Sequence, residues 1–254
     1  MSTLRSGPLV GLIVQVVLLA ALAGTVGLGA AGWSAGLAYG LVTFTALGHG
    51  LHRAGAAALG PADRVTLTRA TLVGGVCALV ADSFARPVPV GVLVGLAAVA
   101  LALDAVDGKV ARRTGTVSAL GARFDMEVDA FLILVLSGYL ARPVGVWVLA
   151  MGAMRYAYLL GSWVLPWLRG TLPARQWRKV VAATQGIVLA VAAAGVLPRP
   201  LTVAALAVAL ALLVESFGHD VGWLWLRRAP DRALTPGRAL MPGGRRAAVP
   251  RYVP

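Results

Sequence analysis

Residues 104–129 read DAVDGKVARRTGTVSALGARFDMEVD, and they place four aspartates within a short stretch of a strongly apolar chain. The four are Asp104, Asp107, Asp125 and Asp129. The whole sequence is 59% hydrophobic and 13% charged, with a mean hydropathy of +0.81. Negative charge is costly in such surroundings, so this stretch is where we expect the chemistry of the protein to lie.

The rest of the chain indicates a membrane protein. Apolar runs of roughly 18 residues or more recur along it, and each is long enough to cross a bilayer as a helix. No polar stretch is long enough to form a soluble domain. We therefore expect an all-α, polytopic integral membrane protein. Its eight helices are predicted at about residues 8–31, 34–55, 65–82, 89–112, 119–140, 143–168, 179–197 and 201–226.

Breaks rich in proline and glycine divide the sequence into three parts. Residues 1–60 are expected to hold two additional N-terminal transmembrane helices, the first of them retained rather than cleaved as a signal. Residues 61–228 are expected to form a six-helix membrane core. Residues 229–254, rich in Arg, Pro and Gly, are expected to be a disordered cytoplasmic tail.

The net charge of +13 fits a membrane surface better than nucleic acid, because Lys and Arg accumulate on cytoplasmic loops next to anionic lipid. With the N-terminus inside, the opposite side carries only Arg86, Arg142 and Arg199. We therefore expect both termini to be cytoplasmic and no nucleic-acid partner. The single cysteine, Cys77, excludes an intrachain disulfide.

Helical spacing groups the aspartates into two stripes near the cytoplasmic ends of the fourth and fifth helices. Residues at i, i+3, i+4, i+7 and i+8 share a helix face. The first stripe contains Asp104, Asp107 and Ala111, and the second contains Gly121, Asp125 and Asp129. Glu127 falls away from its stripe and is left out of the site. Because a short linker joins the two helices, the stripes can face each other and bring four carboxylates together.

Four neighbouring carboxylates repel one another, and a divalent cation relieves that repulsion. Carboxylate oxygens suit hard ions such as Mg²⁺, Ca²⁺ or Mn²⁺, and four acids could hold one or two. Gly108, Ala111 and Gly121 leave room beside the helices. Arg112 and Lys109 add positive charge suited to phosphate. The combination predicts a phosphorylated substrate bound where cytoplasm meets lipid.

These residues resemble the signature of the class I CDP-alcohol phosphotransferase (CDP-alcohol phosphatidyltransferase) family, D-x2-D-G-x2-A-R-x8-G-x3-D-x3-D. Every fixed position and gap matches, from Asp104 to Asp129, over about a tenth of the chain. The resemblance implies that the six-helix core is catalytic. It also implies that a CDP-linked lipid, commonly CDP-diacylglycerol, donates its phosphatidyl group to an acceptor alcohol with release of CMP. Members are commonly homodimers.

The resemblance further implies roles for single residues. Asp104, Asp107, Asp125 and Asp129 would bind Mg²⁺ or Mn²⁺, and Asp129 would also act as general base on the acceptor hydroxyl. The residues expected to contact the cytidine nucleotide are Gly108, Ala111, Arg112 and Gly121. Thr66, in a segment that loosely resembles the entry to the family's core, has either a role near the nucleotide or a plain capping role.

Several basic residues are candidates for binding the acceptor. Arg155 lies in an apolar helix and needs an anionic partner, either a protein acid or a substrate phosphate. Arg123 is open to the same two interpretations. Arg175, Arg178 and Lys179 are either positive-inside anchors or phosphate ligands. Three polar residues near the end of the eighth helix are either ordinary helix-end polarity or a wall of the acceptor pocket: Glu215, His219 and Asp220.

Two other functions remain open from the sequence. A small transporter or ion pathway would explain intramembrane acids. It would not explain the small residues and the arginine at fixed gaps beside them. A catalytically inactive relative kept as a scaffold is the other alternative, and the intact signature disfavours it. The identity of the acceptor alcohol stays undetermined.

Overall fold

The computed structural model describes residues 6–54, 61–114, 119–173 and 175–228, with the backbone alone for residues 6, 54, 61–64, 106–114 and 119. Within these ranges the chain forms α-helices and two short 3₁₀ helices, Val146–Val148 and Pro166–Arg169. The α-helices are α1 (Ser6–Val26), α2 (Ala30–Ala54), α3 (Pro61–Ser83), α4 (Val90–Thr114), α5 (Ala119–Ala141), α6 (Leu149–Val164), α7 (Gln176–Ala194) and α8 (Arg199–Arg227).

The helices have the length and composition of a membrane bundle. Among the residues that the structure describes, five apolar segments are long enough to span a bilayer: Gly7–Val26, Ala30–Arg53, Val65–Ser83, Gln176–Ala194 and Arg199–Arg227. A further apolar segment, Val90–Ala105, ends where the acidic stretch begins. The predicted class, an all-α polytopic membrane protein, is confirmed. The expected tail at 229–254 lies outside the described residues.

Helices α1 and α6 differ most from the predicted bounds, and glycine and proline explain both differences. The other helices begin and end within four residues of the predicted positions. Helix α1 ends at Val26 rather than near residue 31, because Gly27 adopts a left-handed conformation with φ of 72°. Helix α6 covers Leu149–Val164 instead of 143–168. Gly145, with φ of 143°, precedes the first 3₁₀ helix, and Pro166 begins the second.

Helix α3 lies at the centre of the bundle and contacts α1, α2, α4 and α5. Helix α7 also packs against both α4 and α5, and α8 packs against α7. The acidic ends of α4 and α5 are therefore held by two helices that touch both of them. Fully buried leucines form the shared core, among them Leu79, Leu93, Leu132, Leu136 and Leu189.

Helices α1 and α2 are attached to α3 by close packing and by one buried acid. Gly32 and Gly36 of α2 leave no room for a side chain against Ala78 of α3, which lets the backbones approach closely. At the end of α3 remote from the aspartates, the Asp82 carboxylate accepts hydrogen bonds from the N–H groups of Gly29 (2.9 Å) and Gly32 (3.4 Å). It thereby caps the start of α2.

Candidate functional site

Three of the four signature aspartates converge at one end of the bundle. Asp104 comes from α4, and Asp125 and Asp129 come from successive turns of α5. One carboxylate oxygen from each lies within 4.8 Å of those of the other two. Their side chains are 40%, 33% and 35% exposed, so a small ligand can reach the cluster from solvent.

An arginine that the sequence analysis did not single out lies among these carboxylates. Arg69 of α3 is 1% exposed, and its guanidinium forms ion pairs with Asp125 and Asp129. Its Nη1 also lies 3.0 Å from Asp104 Oδ1, and its Nε donates to the carbonyl oxygen of Ala100 at 3.2 Å. One buried cation therefore links all three acids.

The sequence does contain a signal for Arg69. It is a charged residue within the apolar segment Val65–Ser83, and an ionisable group in a spanning helix needs a partner. Arg155, in its apolar helix, carries the same signal. The partners of Arg69 lie 31 to 60 residues away along the chain, so only the folded bundle identifies them.

The electrostatics of the cluster favour a divalent cation. Two carboxylates about 5 Å apart repel by roughly 3 kcal/mol at an effective dielectric of about 20. Arg69 offsets one of the three negative charges, which leaves two. Hard oxygen donors, this residual charge and partial solvent access suit Mg²⁺ or Mn²⁺, so the residues present fit such an ion.

For several of the remaining signature positions the structure describes the backbone but not the side chain. Helix α4 runs through Asp107, Gly108, Ala111 and Arg112, but their side chains lie outside the described residues. Gly121 lies one turn before Asp125 on α5. Thr66 is 5% exposed and lies one turn before Arg69 on α3, on the same face of that helix.

Arg155 of α6 pairs with Glu127 of α5, the acid that helical spacing separated from the metal stripe. The Arg155 Nε is buried and has no hydrogen-bond acceptor among the described residues. Arg155 is thus paired with a protein carboxylate, and its Nε–H remains available as a hydrogen-bond donor. This pair lies two residues along α5 from both Asp125 and Asp129.

A second basic group lies where α7 begins and α8 ends. Arg178 Nη1 is 3.5 Å from Asp220 Oδ2, and Arg175 Nη1 is 4.0 Å from Asp220 Oδ1. Lys179 is exposed on α7, and Arg123 is exposed on α5. The five basic residues considered for the acceptor are thus divided among an α5–α6 pair, an α7–α8 cluster and two exposed positions.

Comparison with known proteins gives one result that covers this site. The sequence profile of a family described as CDP-alcohol phosphatidyltransferase matches residues 60–215, more than half of the chain. The matched region begins at α3 and ends within α8, so it contains Arg69 and the aspartates and leaves out α1 and α2. No individual curated protein and no solved structure gives a significant match.

Proposed function

Because the chain belongs to the CDP-alcohol phosphatidyltransferase family, we propose that it transfers a phosphatidyl group from a CDP-linked lipid to an acceptor alcohol. CDP-diacylglycerol is the proposed donor, CMP the leaving product and phospholipid biosynthesis the setting. The observation that carries the proposal is the convergence of Asp104, Asp125 and Asp129 inside the region that the family profile covers. A diphosphate brings negative charge to a site that already holds three carboxylates, so a cation must accompany it.

We assign the metal site to Asp104, Asp107, Asp125 and Asp129, with one or two Mg²⁺ or Mn²⁺ ions. A bound divalent ion would neutralise charge on the diphosphate and on the departing phosphate. Arg69 keeps the carboxylates of both α5 aspartates turned towards α4, because its planar guanidinium contacts each of them. The residues proposed to contact the nucleotide are Thr66, Gly108, Ala111, Arg112 and Gly121.

Asp129 is the proposed general base. Its carboxylate accepts the proton of the acceptor hydroxyl while that oxygen attacks the lipid-linked phosphorus. The bond from this phosphorus to the oxygen shared with the cytidylate phosphate breaks, and CMP departs with the electron pair. Much of the rate in such reactions comes from holding the two reactants in line, and the rigid α3–α4–α5 contacts supply that positioning.

The position of the site suits a donor that is part nucleotide and part lipid. The aspartates lie at the end of the bundle where the apolar segment of α4 stops, so acyl chains can remain in the bilayer. We propose that this end is cytoplasmic, that both termini share that side, and that the chain is a homodimer in the cell membrane. Residues 61–228 would be the catalytic core, preceded by two further helices at 1–60.

The acceptor would be held by basic side chains close to the aspartates. The proposed residues are Arg123, Arg155, Arg175, Arg178 and Lys179. Of these, Arg155 pairs with Glu127, which lies in the same turns of α5 as Asp125 and Asp129 but on another face of the helix. Its buried, unused Nε gives it a donor for an incoming anion.

The test is CMP release from CDP-diacylglycerol by purified protein with Mg²⁺ or Mn²⁺. The acceptors offered in turn are glycerol 3-phosphate, inositol phosphate, inositol, serine and phosphatidylglycerol. We expect release with one class of acceptor, loss of release with chelator, and loss in Asp129→Asn. No release with any acceptor, together with no exchange of labelled CMP into CDP-diacylglycerol, would refute the proposal and favour the transporter alternative.

A further inference from the structure

An apolar groove lies beside the α7–α8 cluster, on the face of α6 and α8. Its volume is about 580 Å³, within the range of sites that hold small ligands. The groove is bounded by α6, the 3₁₀ helix Pro166–Arg169 and the last turns of α8. Its principal lining residues are Tyr158, Trp167, Leu168, Phe217, Val221 and Trp225.

The walls of the groove have almost no polar groups that could form hydrogen bonds with water. The Tyr158 hydroxyl already donates to the carbonyl oxygen of Leu168 at 2.8 Å, and its ring packs edge-on against Phe217. The other lining side chains are aliphatic, aromatic or sulfur-containing, apart from Gly218. An open groove with such walls favours a hydrocarbon occupant over a polar one.

A cationic cluster lies next to the groove, although its arginines are not among the lining residues. Asp220 precedes the lining residue Val221, and Arg175 and Arg178 approach its carboxylate. Two guanidinium groups face one carboxylate, so a positive charge remains. The Arg175 Nη1 is buried and has no hydrogen-bond acceptor among the described residues. Tyr158, which lines the groove, lies within electrostatic reach of both Arg178 and Asp220.

We propose that this groove binds one acyl chain of an anionic phospholipid, with the lipid phosphate against Arg175 and Arg178. The two halves of such a molecule match the two halves of the site, because hydrocarbon fills the apolar walls and phosphate uses the unpaired guanidinium donor. Trp167 and Trp225 stand at the same end of the groove, with Arg228 over both rings, as side chains do at a membrane interface.

This inference deepens the proposed function in one respect, on which it rests: the anion held by these two arginines is part of a lipid. Lipid binding is measured without turnover. The experiment can therefore refute the proposed lipid site without refuting the proposed transfer reaction, and the reverse.

The experiment is photolabelling of the full chain in phosphatidylcholine vesicles containing a trace of phosphatidylglycerol with a diazirine on one acyl chain. Labelled peptides are identified by mass spectrometry. We expect label on α6 and on residues 214–225 of α8. Gly218→Phe should reduce it roughly tenfold, about 1.4 kcal/mol of binding free energy. Gly222→Phe is the matched control, because a side chain at either glycine meets no atom within 4 Å and Gly222 does not line the groove.

The headgroup is tested by a second pair of variants and a second probe. Arg175→Gln with Arg178→Gln should reduce labelling by the phosphatidylglycerol probe more than by a phosphatidylcholine probe. Arg199→Gln, which removes an exposed cation at the opposite end of α8, should change neither. Equal labelling of Gly218→Phe and Gly222→Phe, or label absent from α6 and α8, would overturn the proposal. If the protein released no CMP but was still labelled in the groove, the proposed transfer reaction would be refuted and the proposed lipid site would stand.

Discussion

Arg69 Nη1 lies 3.0 Å from Asp104 Oδ1, although the two residues belong to different helices and are 35 positions apart. The same guanidinium contacts Asp125 and Asp129 of α5. One side chain of α3 thus joins the two acidic stripes. The Arg69 side chain is buried and the three carboxylates are partly exposed. The guanidinium therefore contacts the carboxylates from the protein interior, and their other side is open to solvent.

Arg69→Gln should destabilise the metal-free protein by roughly 2–4 kcal/mol, allowing for screening of the half-exposed acids. The ion pairs that Arg69 forms with the three carboxylates would then be lost, and the repulsion among them would rise. Added Mg²⁺ should stabilise the variant more than it stabilises the wild-type protein, since it relieves a larger repulsion. Thermal unfolding in chelator and in Mg²⁺ measures both effects, and Arg69→Lys, which keeps the charge, should lie between. An equal deficit in both conditions would contradict a shared role of arginine and metal.

Replacement of any one aspartate of the cluster should weaken Mn²⁺ binding at least roughly tenfold, because affinity follows the number of charged oxygen ligands. Asp104→Asn, Asp125→Asn and Asp129→Asn are the variants, and isothermal titration is the measurement. Glu215→Gln on α8 is the control, because it removes the same charge from an acid outside the cluster, one that accepts a hydrogen bond from Trp177 of α7. Unchanged Mn²⁺ affinity in Asp125→Asn would rule out the proposed metal site.

Asp129→Asn should differ from Asp125→Asn in the step it impairs. Loss of a general base removes proton transfer, which costs about 10²-fold or more in turnover. Binding of the CDP-lipid should be retained when Mn²⁺ is raised to saturation, because the weakened metal site is then still filled. Binding of a labelled CDP-lipid and the rate of CMP release, measured on one preparation, separate the two steps. If both variants lost binding and turnover in the same proportion, Asp129 would be a ligand without a role as base.

Asp82→Ala should loosen α1 and α2 from the core. The change leaves the N–H groups of Gly29 and Gly32 and the guanidinium of Arg86 without their shared acceptor. Unsatisfied buried groups cost about 1–3 kcal/mol. We expect a lower unfolding temperature and faster proteolysis between α2 and α3. Arg86→Gln, which keeps the carboxylate on both N–H groups, should be milder, and equal loss in the two variants would argue against the capping role.

Arg155→Gln should raise the KM for an anionic acceptor roughly tenfold or more and leave the KM for the CDP-lipid unchanged, since a charge-assisted hydrogen bond contributes about 1.5–3 kcal/mol. Glu127→Gln frees Arg155 and should also act on the acceptor KM alone. Stability should change by less than about 1 kcal/mol, because both side chains are partly exposed. Steady-state kinetics with each substrate varied decides this. Arg142→Gln, at the opposite end of α5, is the control.

Local pattern was sufficient for much of this protein. Apolar runs of spanning length predict helices, because a bilayer accepts only segments that satisfy their own backbone. Helical periodicity places Asp125 and Asp129 on one face, one turn apart, since that spacing is a property of the helix itself. The fixed gaps between Asp104 and Asp129 were enough to indicate the family that the profile match then established.

Tertiary structure decided which groups meet. Arg69 reaches the aspartates, Arg155 reaches Glu127, and Arg175 and Arg178 reach Asp220 only because particular helices pack side by side. Helix periodicity specifies the direction of a side chain about its own axis and carries no information on which neighbour faces it. Many arrangements of such helices would expose apolar side chains to the lipid and keep the backbone hydrogen-bonded equally well. The choice among them depends on close packing and buried ion pairs across distant parts of the chain.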